Sequence, residues 1–480
     1  MATRTWDAAG ASTWSVAASW SDNTKPTTDD TAAFDNTSDQ NCTVDENTAI
    51  LGGFTVDATY GGTIDFASAN LNVLNGAVTL NGAGTFDAGD LTSHTLANCA
   101  LTWMMSGGDG TWTRGTSTFT MQGASSFTGK ANTHFYKLTV GTGGTLTVAG
   151  TSNYVVNVLT VNGTLDIPVA KNTGVVTTGT LVVAAAGVIS GAGSFTLSSP
   201  SSGAGITSQA GTISVATLSV LNPASGSVFA AGTYASATVT ISGTGAAAYV
   251  FALAAGTTTF TGDVEYKINN AGGSLTVTNA ANGSQVYQGD LKFSESAGTL
   301  TYTKGTGSIT FSGTAAQNFY DADGIGATNP LEDIVINKAS GTLTLQDALV
   351  CDSLTLTSGT LAPNGKALTT TGSVSLGPGG SMSTGATAMN LAAWTVGGDF
   401  AATGVNLQGS GGWTLSVAGA GAIYSAVIQG CDASGSAAAI QAYNCTDGGG
   451  NTNINFTAGG AAAANSSVFN WRGAQNWRLQ

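Results

Sequence analysis

One short phrase recurs along this 480-residue chain: Gly, then Thr or Ser, then apolar and polar positions in alternation. It reads GTIDF at 62–66, GTLTV at 144–148, GTLDI at 163–167, GTISV at 211–215, GSLTV at 273–277, GSITF at 307–311 and GTLTL at 341–345. Strict alternation places successive side chains on opposite faces, which is the pattern of a half-buried strand. The leading Gly marks a turn before each strand. Helix is a poor alternative. Charged residues make up only 8% of the chain, so the Glu, Lys and Arg that favour helices are scarce. β-Branched residues and Gly interrupt every candidate helix. The spacing between phrases varies, whereas propeller blades and immunoglobulin-like sandwiches carry a regular period with aromatic or Cys landmarks. Short strands with loops of variable length predict an all-β chain folded as an elongated, single-chain parallel β-helix, a solenoid.

In such a fold each turn stacks on the next about 4.8 Å away, so identical faces meet. In the stretch 331–361, Leu343, Leu345, Leu354 and Leu356 are expected to point inward as apolar rows, with Thr and Ser outward. At roughly 20 residues per turn, the central region would form a rod on the order of 80 to 100 Å long. A longer unit also recurs: 117–150 matches 307–347 in order, the second copy having a longer loop with Asp321, Asp323 and Pro330. The end turns of a solenoid must be covered, and the termini differ from the middle. Residues 1–60 are expected to form an N-terminal cap or attachment region with Trp6, Trp14, Trp20 and Phe34. Residues 61–425 form the solenoid rod, and 426–480 a C-terminal cap or tip with an Ala/Gly linker and a Trp/Arg tail.

The net charge of −14 disfavours nucleic acid as a partner. No apolar window of about 18 residues exists, so no membrane insertion is expected. The start, MATRTWDAAG, lacks a basic segment followed by an apolar run, and no export leader is expected. The five Cys include no CxxC pair, and only His94 and His134 accompany them, which disfavours zinc. Cys431 and Cys445 are close enough in sequence to pair, but a reducing compartment leaves both as small buried apolar residues.

Three carboxylate pairs could serve acid–base chemistry: Asp29 with Asp30, Asp321 with Asp323, and Glu332 with Asp333. All read more simply as turn or cap residues. The DADG run resembles a fragment of a calcium loop without its ligand spacing. Neither His has a recognisable nucleophile beside it, and no phosphate loop is present. The expectation is therefore a non-enzymatic protein without cofactor or metal. The nine Trp have two readings, plugs for solenoid ends and core gaps, or docking and sugar-stacking faces.

The run 5–35, TWDAAGASTWSVAASWSDNTKPTTDDTAAFD, resembles the opening of repetitive bacterial surface β-helices of the autotransporter-repeat type. The matching positions are Trp6, Trp14, Ala18, Trp20, Pro26, Asp30, Thr31, Ala32 and Phe34, with Ser19 where that family has Asn. This cap and the ending NCTDGGGNTNINF at 444–456 are also similar to structural proteins of tailed bacteriophages, which fold in the host cytoplasm without an export signal. The resemblance implies a right-handed solenoid on the outside of a virion: a fibre, spike or decoration protein with capsid or tail proteins as partners. It also implies contact with host cell-surface glycans, and a homotrimer where the protein is a fibre. A secreted bacterial adhesin and a polysaccharide-degrading tailspike are the alternatives. Docking on the particle is assigned to the N-terminal cap through Trp6, Trp14 and Trp20, with NWRGAQNWRLQ at 470–480 as the competing end.

Overall fold

The inward rows expected from the repeated phrase are present, and they build the fold. The structure is a computed structural model that describes residues 1–104, 111–129, 133–149, 154–168, 172–176, 180–198, 205–223, 227–321, 324–325, 329–382, 393–396, 400–403 and 407–457. It is all-β with almost no helix, and its strands stack in parallel as a β-solenoid. The chain divides into two units, Met1–Gly313 with Tyr320–Ile325, and Thr314–Phe319 with Gly326–Gln480.

In the first unit, Leu146, Leu165, Ile189, Ile213, Tyr234, Phe260, Tyr287 and Phe311 stack in register on successive turns. Every one of them is buried. Where the row turns aromatic the rings stack: Phe260 lies 5.5 Å from Tyr234 and 5.3 Å from Tyr287. Each such side chain removed from water contributes about 1.5–3 kcal/mol. Bonds between neighbouring turns join residues at varied separations, 19 for Thr147 with Asp166 and 30 for Ser15 with Asp45, so the solenoid absorbs the variable spacing in its corners. Early turns carry three short strands each, such as Gly53–Val56, Thr63–Asp65 and Asn72–Leu74.

The ladder begins at Thr3–Thr5, which pairs with Thr31–Phe34. The register sets Arg4 over Ala32, and Ala32 over Phe54. A charged residue thus heads an apolar row. Arg4 reaches Asp22 at 3.3 Å and the buried Asp30 at 3.6 Å. The Asp30 carboxylate accepts from Ala2 N–H at 2.8 Å and from Thr27. These hydrogen bonds, led by that of Ala2 and aided by Arg4, hold its pKa down at about 2.

In the second unit, Ile336, Leu356, Leu376, Ala402, Ile423, Ala442 and Phe456 form one inward row. Leu349, Leu368, Trp394 and Leu415 form another on a separate sheet. Leu343, Leu345, Leu354 and Leu356 are all fully buried, as the alternation predicts.

The Gly of the repeated phrase has a steric cause. A Cβ on Gly84 would lie 1.9 Å from the carbonyl oxygen of Gly62 one turn below, and one on Gly211 would lie 2.1 Å from that of Gly187. Backbones of adjacent turns approach too closely there for any side chain. Beside it, a corner is built from left-handed residues, Asn75, Asn98 and Gly123, with φ of 59°, 51° and 59°. Asn tolerates that region better than other side chains, and Asn98 Nδ2 donates to Asn75 Oδ1 at 2.9 Å, stacking the corner.

Candidate functional site

On the outer face of the first unit, next to that corner, lies a hollow of 390 Å³. Its position follows from the register. Ala100, Ser126, Thr147 and Asp166 stand side by side on four turns, and Ala124 stands beside Thr145. Ala100 and Ala124 are exposed methyls, Ala100 paired with Ala77 on the turn below and with Ser126 on the turn above, and short side chains there leave the depression. Asn98 closes one side; its Oδ1 accepts from Ala124 N–H at 2.9 Å, so the amide is fixed. Thr147 Oγ1 lies 3.4 Å from Asp166 Oδ2 at the other side. The lining offers hydroxyls, one amide and methyl groups. Nothing in single Ala and Thr residues marks a depression until the turns are aligned.

The three Trp assigned to docking come together, but inside the cap. Trp6, Trp14 and Trp20 are at most 1% exposed. Trp20 sits edge-on to Trp14 at 4.7 Å and to Trp6 at 5.2 Å, and Phe34 lies 5.6 Å from Trp20. Trp6 Nε1 donates to Gln40 O at 2.9 Å and Trp20 Nε1 to Trp14 O at 3.0 Å. Two 3-10 turns, Ala17–Ser19 and Ser21–Asn23, wrap the cluster. These rings plug the first turn, and docking through this end would use the surface they support. Trp103, Trp394 and Trp413 are also core residues, while Trp112 is half-buried. Trp471 and Trp477 lie outside the described residues.

The carboxylate pairs do not converge where they are described. Asp30 is buried while Asp29 is exposed with φ of 66°, and Glu332 is buried while Asp333 is exposed and accepts from Ser353 Oγ at 2.6 Å. Asp321 is buried and takes the N–H of Ile325 at 2.9 Å, a turn contact; Asp323 lies outside the described residues. Among the described residues no group of three or more His, Cys, Asp or Glu is arranged to hold a metal. Cys431 and Cys445 are free thiols. Burial, with Asp432 nearby, pushes Cys431 up to about 12, and burial raises Cys445, whose Sγ faces the carbonyls of Tyr443 and Ile423.

His94 has a structural role that its Ser/Thr-rich context hid. It is fully buried between Phe66 and Phe119. Nδ1 accepts from Leu71 N–H at 3.0 Å, so the ring proton is on Nε2, facing Ala88 O at 3.0 Å and Thr92 Oγ1 at 3.1 Å. Burial pushes its pKa down to about 4, against a smaller opposing pull from the Ala88 carbonyl. A second proton would set an N–H against the Leu71 N–H. Since the folded value lies below the unfolded 6.5, the unfolded chain takes up a proton first as pH falls. Stability is therefore full above pH 6.5 and declines down to about pH 4, by about 3 kcal/mol in all. Thermal melts at pH 7, 5.5 and 4 should show this decline, and His94→Asn should flatten it. An unchanged slope in the variant would remove His94 as its source. The side chain of His134 lies outside the described residues.

A buried polar chain also escaped the sequence. Tyr266 Oη meets Tyr287 Oη at 3.2 Å, Tyr287 donates to Gln285 Oε1, and Gln285 Nε2 donates to Tyr302 Oη at 2.7 Å. Buried polar atoms satisfy one another here instead of facing a site.

Comparison with known proteins returns no matching family model, no matching curated protein and no matching solved structure. The fold class, a parallel β-solenoid with aromatic clusters, is what the chain shares with repetitive β-helix proteins.

Proposed function

We propose that this chain is a non-enzymatic structural protein on the outside of a tailed-phage virion, a fibre, spike or decoration protein. In this reading it is a rigid spacer made in the host cytoplasm that touches capsid or tail proteins and host surface glycans. The observation that carries the proposal is the continuity of the buried rows: Leu146 through Phe311 stack turn on turn, each turn closing the core of the last. Such a core supports length and stiffness without large domains between. The outward rows suit a wet exterior, as in Thr95, Thr120, Thr139 and Thr160 on four successive turns.

The test is to purify particles from a lysate by density gradient, then look for the chain by mass spectrometry and by antibody labelling of intact particles. Co-banding with capsid protein and labelling of intact particles are expected. Finding the chain instead on cells that carry no phage genes would replace this reading with a bacterial adhesin. Release of reducing ends from capsular polysaccharide would replace it with a degrading tailspike.

A further inference from the structure

We propose that the hollow beside the Asn98 corner binds a short segment of neutral saccharide; this rests on the glycan-contacting reading above and supplies its site. A sugar presents hydroxyls that both donate and accept, and patches of C–H between them. The hollow presents the same two kinds of surface. Its lining includes the exposed methyl groups of Ala100 and Ala124, with the buried Cys99 and Ser125 beside them. The same lining carries the hydroxyls of Ser126, Thr145 and Thr147, groups that can donate and accept, and the Asn98 amide; Thr147 also reaches Asp166.

Charge selects against the obvious competitors. None of the lining residues carries a positive charge, and Asp166 lies beside Thr147. A sulfated or uronate-rich chain would meet no counterion in the lining, and the net charge of −14 adds a repulsive field. The size fits as well, since 390 Å³ is at the small end of ligand sites and takes about two sugar rings.

The site is also preformed. Its side chains stand on the strands Ala100–Trp103, Ala124–Gly129 and Thr145–Ala149, whose register is fixed by the core beneath. Asn98 is held through both ends of its amide, by Ala124 N–H and by Asn75. Little side-chain freedom is then lost on binding. A shallow, wet site of this kind binds at about millimolar strength, enough when many copies act together.

The experiment uses the full chain and ligand-observed saturation-transfer NMR. The probes are neutral gluco-, galacto- and manno-trisaccharides, with trigalacturonate as the anionic comparison. Two variants alter the hollow from the outer face: Ala124→Trp fills it, and Thr145→Val keeps its shape but removes one hydroxyl. Circular dichroism and melting temperature show that each remains folded. At least one neutral trisaccharide should bind, roughly tenfold or more weakly to Ala124→Trp and roughly fivefold more weakly to Thr145→Val. Trigalacturonate should give no transfer. The proposal is overturned if no neutral trisaccharide binds, if the folded variants bind as the parent does, or if trigalacturonate binds equally well. A chain found on cells instead of particles would remove the virion reading and leave this result standing.

Discussion

Gly307→Ala is expected to cost about 4 kcal/mol or more, an exceptional loss for the addition of one methyl group. The added Cβ would lie 1.9 Å from the Gly283 carbonyl oxygen and 2.6 Å from its carbon. Both are backbone atoms of the turn below, so no flexible side chain can yield. Relief requires the strand Ser308–Phe311 to lift away from Gly283–Tyr287. That would separate Phe311 from Tyr287 and Ile309 from Gln285, opening two inward rows at once. Gly10→Ala is the control: nothing lies within 4 Å of its Cβ, and a change within about 0.5 kcal/mol is expected. Urea titrations of the two variants would show the contrast. Equal midpoints would mean that the close approach is not what fixes Gly in the repeated phrase.

That phrase also shows how far the sequence could be read. Alternation located the inward residues, because one face of each strand meets only the core; Leu354 and Leu356 are buried for the reason their spacing suggested. The Gly was legible as a turn signal, but its deeper cause is a contact between residues more than 20 apart, such as Gly62 with Gly84, and local pattern carries no register. The hollow was illegible for the same reason. Ala100 and Ala124 are unremarkable until the pairing places Ser126, Thr145 and Thr147 around them. The burial of His94 was not legible from its neighbours in sequence, since the groups that bury it, Phe66 and Phe119, lie on other turns. The adjacent carboxylates looked like pairs in one dimension, but in the two pairs described in full one member is buried, Asp30 or Glu332, and the other, Asp29 or Asp333, is exposed.

Trp20→Ala is expected to cost about 3–5 kcal/mol, at the top of the range for emptying a core position, because the ring is the centre of its cluster. It touches Trp6, Trp14 and Phe34, and its Nε1–H holds the Trp14 carbonyl. Stability in a solenoid is roughly a sum over neighbouring turns, so the damage should stay local. Hydrogen exchange is the measurement: protection should fall in Thr3–Thr5 and Thr31–Phe34 and persist in Gly256–Phe260 and Gly283–Tyr287. Uniform loss across both regions would sink the nearest-neighbour picture. The same geometry bears on docking through this end. In the proposed virion reading, replacing Trp6, Trp14 and Trp20 together would release the protein from particles merely by unfolding a docking cap, whichever residues make the contact. A surface substitution separates the two causes. Val16 is 43% exposed, two residues from Trp14, and Val16→Asp adds charge at the surface while keeping all three rings. If the N-terminal cap docks, Val16→Asp should lower particle occupancy while exchange protection in Thr31–Phe34 is unchanged. Full occupancy with Val16→Asp, together with release by Trp20→Ala, would mean that the Trp cluster matters to attachment only by keeping the first turn folded.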